Sequence, residues 1–215
     1  MATSPSGTLL AIAATFGAPK TVSGISNAAE AVVSCTAHGF SVGDIVQLYS
    51  GWGRLNRRAV RVKSATTDNF VAELIDTTST DFFPSGTGNG TVRKVLTWQQ
   101  ISNYKDITSS GGEPKNITFK WNDSDVEESL NDGFSAITES FNIDADNIGQ
   151  VGYELLRTYT DVQTDTILRK TLKSGSKIYT PGRVALNENV KFTDGQVNVC
   201  AVGFNANGRI TRYSA

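Results

Sequence analysis

The chain has 215 residues, of which 39% are hydrophobic, with 20 basic and 21 acidic side chains and a formal net charge of −1. That length supports one large domain or two small ones, and the balanced charge excludes the broad basic face of a general nucleic-acid binder. Two cysteines, Cys35 and Cys200, lie far apart and in no metal-ligand spacing, so both read as buried free thiols from a reducing site of synthesis.

The first feature along the chain is a short apolar run from Leu9 to Ala14. It lacks a preceding basic region and is too short to cross a bilayer, so no membrane role and no secretion leader are expected. Residues 1–20 read as an arm belonging to the core. Period-two alternation then dominates. Val60 and Val62 oppose Arg61 and Lys63; Phe70 and Leu74 share a face in the next run. Ile117–Trp121 alternates fully, and Ile137–Ile143 does so apart from Glu139, an acid on the apolar face. Ser176–Thr180 and Gln196–Phe204 are further strands, the second apolar on both faces at its end, as in a central strand.

Turn residues separate these runs at short intervals, a pattern that predicts a mainly β protein built as an antiparallel sandwich or barrel. One helix is predicted, over 146–160, with Ile148, Val151, Leu155, Leu156 and Tyr159 on one face. Asp144 and Asp146 stand at its start, where acids cap free amides. The turn-rich stretch from Thr77 to Gly90 places a boundary near residue 96, dividing a 21–96 module from a 97–215 core.

No catalytic constellation emerges. The single histidine, His38, precedes Gly39 in a turn, and Cys35 three residues away points to the opposite face of a strand. Gly86–Gly90 resembles a phosphate loop in composition, but a strand follows it and Asn89-Gly90 is a hairpin signal. Asp123, Asp125, Glu127 and Glu128 lead an acidic stretch that contains no basic residue up to Gln150. It lacks the turn glycine and the bidentate glutamate of a calcium loop, so neither metal nor cofactor is expected, and no spacing selects a glycosidase pair. Trp52, Trp98 and Trp121 leave a sugar-binding platform as a rival reading.

The segment Val33–Asn56, with His38-Gly-Phe and then Gly43-Asp, resembles a small β-barrel module of several phage structural proteins, as does its continuation through Asn69-Phe. That module commonly has a glycine where this chain has Arg57. The wider order resembles one family of tail tube proteins of long-tailed bacteriophages. The matching features are an arm at Thr15–Val22, Thr97-Trp-Gln-Gln-Ile, Ser109-Ser-Gly-Gly-Glu-Pro, a strand, a helix and a Gly-Arg-Ile-Thr-Arg-Tyr ending at Tyr213.

The resemblance implies a β-sandwich flanked by one helix, with the barrel module inserted and decorating the outside. It further implies six copies closing into a ring and rings stacking into a hollow virion tail tube, assembled in the host cytoplasm. Tape measure, terminator and distal tail proteins would be partners, and DNA would pass without specific binding. Gly111 and Gly112, in a polar stretch 103–115, and Asp123, Asp125, Glu127 and Glu128 are then the candidate assembly residues, expected to be flexible until rings stack. A decoration or baseplate protein using the same barrel is the nearest alternative.

Overall fold

The alternating runs do form strands, and hydrogen bonding joins almost all of them into one antiparallel sheet. A computed structural model describes residues 7–215; the start of the expected arm, residues 1–6, lies outside the described residues. In chain order the strands are β1 (Leu9–Phe16), β2 (Lys20–Val22), β3 (Gly24–Ile25), β4 (Val32–Ser34), β5 (Ile45–Ser50), β6 (Ala59–Ala65), β7 (Asn69–Ala72) and β8 (Gly90–Ile101). They continue with β9 (Tyr104–Ser110), β10 (Pro114–Phe119), β11 (Glu128–Phe134) and β12 (Thr138–Asp144). After the helix α1 (Val151–Val162) come β13 (Thr166–Thr171), β14 (Lys177–Lys191), β15 (Val199–Ala206) and β16 (Thr211–Tyr213).

The main sheet runs β3-β4-β7-β6-β5-β8-β1-β13-β14-β15-β12-β9, with β2 also on β8 and β16 also on β14. Strand β8 is its pivot. Gly90 to Lys94 pair with β5 in the register Ser50↔Gly90 to Val46↔Lys94, and Val95 to Ile101 pair with β1. At about 3.4 Å per residue β8 extends roughly 40 Å. It passes unbroken through residues 96 and 97, where sequence composition places a boundary, because a ladder needs only pairing partners and those change from β5 to β1 at that point.

Two apolar clusters flank the pivot. Strands β2 to β7 and the first half of β8 curl around Val33, Val46, Leu48, Trp52, Leu55 and Phe70. The other strands of the main sheet enclose Leu10, Ile12, Phe141, Leu168, Val202 and Phe204, with Tyr153 and Leu156 of α1 packed on top. A smaller cluster of Ile45, Ala59, Val95, Ile167, Tyr179 and Tyr213 bridges the two. Cys35 and Cys200 are both buried free thiols, one in each large cluster.

The helix differs from its expected 146–160 span. A 3-10 turn occupies Ala145–Asn147, where Asp144 accepts from the Asp146 amide at 3.0 Å, and α1 itself begins only at Val151. Gly149 sits between them at φ +85°, a left-handed conformation that breaks helical periodicity. Ile148, before that break, is therefore out of phase with the helix and exposed; Val151 is exposed as the first residue of α1, while Tyr153 and Leu156 are buried. Leu74 is a second departure. It is exposed at φ +58° in the turn ending β7, so it does not share Phe70's buried face. The stretch 103–115, read as turn-rich and flexible, contains the seven-residue strand β9, because β12 supplies a ladder from Tyr104↔Ile143 to Ser110↔Thr138. Arg57 adopts φ +61°, the conformation that glycine takes without steric cost, which accounts for the glycine of the resembling module.

Two polar features hold the arrangement. Glu139, only 1% exposed, receives the Lys170 ammonium on Oε2, accepts from Ser109 Oγ at 3.1 Å, and accepts at Oε1 from Thr180 Oγ1 at 3.1 Å. One carboxylate thereby joins β9, β12, β13 and β14, and its full set of partners is what lets an acid lie on an apolar face. At the other end, the Tyr213 hydroxyl accepts from the Arg61 amide at 2.8 Å and donates to the Glu73 carbonyl at 3.3 Å. Burial pushes its pKa up to about 12.

Substituting Glu139→Gln leaves the buried Lys170 charge uncompensated, and guanidinium denaturation is expected to show a loss of about 3 kcal/mol. Joint replacement by Glu139→Leu and Lys170→Met should recover only part of that loss: the ionic partner is no longer needed, but the buried Thr180 hydroxyl loses its acceptor. Tyr213 gives a pH dependence of known sign. Its folded pKa of about 12 lies above the ordinary value of 10.0, so its contribution is complete below pH 10 and is lost as pH rises towards 12. Alkaline denaturation of a Tyr213→Phe variant should therefore show a shallower fall in stability over that interval than the parent chain.

Candidate assembly surface

Strands β10 and β11 stand apart from the main sheet as a two-stranded hairpin that pairs with no other strand among the described residues. Their register runs from Pro114↔Phe134 to Phe119↔Glu128, with an irregularity between Pro114 and Asn116. An isolated hairpin is marginal in water. This one also displays a set of apolar side chains to solvent: Ile117, Trp121, Val126, Leu130 and Phe134 are all more than half exposed. Trp121 meets only the edge of Phe119 at 5.5 Å between ring centroids. Apolar groups gathered on one projecting element mark a surface meant to be covered.

The six candidate residues all fall on this element, at its two ends. Gly111 and Gly112 form the connection from β9, at φ +82° and +79°. A Cβ on Gly111 would come within 1.9 Å of the Ala136 carbonyl oxygen, so no other residue fits where the two arms cross. Beside it, the Gly112 amide donates to the Ser135 carbonyl at 3.2 Å, and the Ser135 amide donates to the Glu113 carbonyl at 2.9 Å. Asp123, Asp125 and Glu127 lie exposed in the distal turn, and Glu128 is exposed as the first residue of β11. Within that turn Ser124 Oγ accepts from the Val126 amide at 3.1 Å. The structure thus brings the four acids together but separates them from the two glycines by the length of β10, about 20 Å.

One feature of the surface was missed by sequence reasoning. A cleft of about 950 Å³ opens at the hairpin base, lined by Arg54, Arg58 and Phe82 from one region, Phe134 and Ile137 from the hairpin base, and Arg209 after β15. Its three arginines are widely spaced in sequence and only the tertiary fold assembles them. The Gly208-Arg209 dipeptide, part of the ending already noted, is the one sequence signal that pointed near it.

The free ends of the sheet are β3 and β9, whose outer edges have no strand partner among the described residues. Strand β9 is mostly polar and carries a bulge where Asp106 takes φ +58° and its carboxylate accepts from Asn142 Nδ2 at 2.9 Å.

The rival platforms fare differently. Trp52 is 1% exposed, and its Nε1 donates to the Pro84 carbonyl at 2.9 Å and Thr87 Oγ1 at 3.0 Å, so it cannot present a ring to a sugar. Trp98 is covered by the Arg169 guanidinium at 4.5 Å and faces Tyr179. His38 is buried; its Nδ1 accepts from the Phe40 amide at 2.9 Å and its Nε2 faces the Asn69 carbonyl at 3.2 Å. With Nδ1 an acceptor, the proton belongs on Nε2, and both ring nitrogens are engaged in holding the turn. Burial raises the Cys35 thiol pKa, against the thiolate that nucleophilic chemistry needs. Among the described residues no three His, Cys, Asp or Glu side chains are placed to hold a metal ion, and no helix is long and apolar enough to cross a membrane.

No curated protein matches the chain. Residues 50–215, which include β8, the hairpin, α1 and every later strand, match the family described as phage tail tube protein, TTP. The projecting hairpin, the open sheet edges and this match over most of the sequence agree, and the chain belongs to the phage tail tube proteins, structural components of the phage tail.

Proposed function

We propose that six copies of the chain close into a ring through their free sheet edges, and that rings stack into the tube through which DNA is ejected. The observation that carries this reading is the β10–β11 hairpin, an element with no further strand partner among the described residues and five large apolar residues in water. A neighbouring copy covering it removes that exposure, and an edge such as β9 meeting a neighbour's edge removes the hazard of open pairing. The contact is heterologous, and such contacts form rings when the rotation closes.

In this reading the role is architectural and not catalytic. Residues 97–215 form the tube wall and the 21–96 module lies outside it. The virion tail is its location, with assembly in the host cytoplasm and tape measure, terminator and distal tail proteins as partners. The balanced charge of the chain supports passage of DNA without retention, since each phosphate neutralised by Lys or Arg adds salt-dependent affinity.

Electron micrographs of the purified chain at rising concentration should show six-fold rings and then tubes; monomers persisting throughout would refute this function and leave a decoration or baseplate role. Hydrogen exchange on the same samples supplies a second measure. Amides of residues 114–134 should exchange rapidly in free subunits and slow by at least about a hundredfold in tubes, while the β13–β14 amides stay protected in both.

A further inference from the structure

The cleft at the hairpin base holds three arginines and no carboxylate. The Arg54 guanidinium carbon lies 3.1 Å from the Phe82 ring centroid, Arg58 Nε donates to Thr211 Oγ1 at 3.1 Å, and the exposed Arg209 sits 5.8 Å from the Phe134 ring centroid. None of the three is in an ion pair among the described residues, whereas Arg57, Arg61, Arg157 and Arg183 each have an acidic partner. Burial lowers the pKa of Arg58, with repulsion from Arg209 adding to it, and burial with repulsion from Arg54 lowers that of Arg209. Three mutually repelling cations lining a concave surface make an anion site with no anion of its own.

The distal turn of the hairpin has the opposite composition. From Trp121 to Glu128 it carries Asp123, Asp125, Glu127 and Glu128 with no basic side chain, flanked by the exposed Trp121 and Val126. Guanidinium groups bind carboxylates through paired hydrogen bonds, and the Phe82, Phe134 and Ile137 surfaces of the cleft suit the two apolar side chains. The cleft and the turn lie at opposite ends of one hairpin, about 20 Å apart by strand length, so a chain does not fill its own cleft.

We propose that the acidic turn of one subunit seats in the Arg54–Arg58–Arg209 cleft of the next copy, so that charge sets both the order and the polarity of assembly. This rests on the reading that the chain polymerises with itself. Because donor turn and acceptor cleft are different surfaces, the contact is head-to-tail and repeats without limit. Its strength falls with salt, since charges at a rim are screened within about 3 Å at 1 M.

Two charge-reversed chains test it. One carries Arg54→Glu and Arg209→Glu, leaving the hydrogen-bonded Arg58 in place; the other carries Asp123→Lys, Asp125→Lys, Glu127→Lys and Glu128→Lys. Each alone is expected to raise the concentration needed for tube formation by tenfold or more, the equivalent of about 1.4 kcal/mol per contact. Circular dichroism and thermal unfolding of both should match the parent, since every altered side chain lies on the cleft rim or the distal turn. An equimolar mixture restores tubes, because each altered surface then meets a complementary one, and a single chain carrying all six changes polymerises alone. Tubes that form normally from either reversed chain, or a mixture that stays monomeric, would overturn the docking assignment while leaving the tube intact. Parent chains that form no tube at all would instead overturn the tail tube reading, and this inference with it.

Discussion

Everything in the subunit depends on one strand serving two cores. Strand β8 pairs with β2 and β5 over Gly90–Lys94 and with β1 over Val95–Ile101, so a single backbone ladder passes from one apolar cluster to the other. A flexible linker would let the two regions move independently. A continuous ladder does not, because bending it breaks hydrogen bonds on both sides at once. The joint is reinforced laterally. Asp165 lies 3.2 Å from Arg57 and 2.6 Å from Arg183, and its backbone carbonyl accepts from Arg93 of β8 at 2.8 Å. Arg93 also reaches the buried Gln47 and lies over the Phe16 ring. Orientation between the regions is set by these contacts together with the Tyr213 anchor, a useful property where identical units repeat with fixed geometry.

The sheet and the hairpin represent opposite solutions to one problem. Within the sheet the buried acid and the buried amide are matched: Glu139 has three donors, and Gln47 is held by Arg93 and Tyr49. On the hairpin nothing is matched. Its apolar residues face water and its acids have no counter-charge on the same element beyond Lys115 and Lys120. With the core completed within the chain and one projection left apolar in water, covering that projection is favourable.

The class of fold was legible because half-buried strands write their geometry as alternation. Val60, Val62 and Phe70 are buried as that alternation requires. The acidic residues were legible as a set because no basic residue interrupts them, though not as the tip of a hairpin, since β11 has too little apolar patterning to announce itself. Strand β9 was hidden for a related reason: Tyr104–Ser110 is polar along most of its length, and only pairing with β12 makes it a strand. The helix face failed for Ile148 because a positive φ at Gly149 resets the angular count, and for Val151 because it opens the helix at an exposed position. The arginine cleft was beyond reach, as Arg54, Arg58 and Arg209 converge only where the β15–β16 connection meets the region between β5 and β6.

The strand order has a temporal side. Strand β1 lies in the middle of the sheet, yet its neighbour β13 aligns Ile12 with Leu168, more than 150 positions later. During synthesis, β8 can meet Leu10 and Ile12 from one side before half of the chain is made, but the other side of β1 stays open until β13 has left the ribosome. Contacts of such long range fold slowly because the loop entropy is lost before the pairing is gained. The projecting hairpin is made entirely from local pairs, so its two strands emerge together, before the last strands of the sheet that carries it. A nascent chain is therefore sticky at its tip before it is shaped at its base, which makes dilution or a chaperone during translation a natural requirement of this architecture.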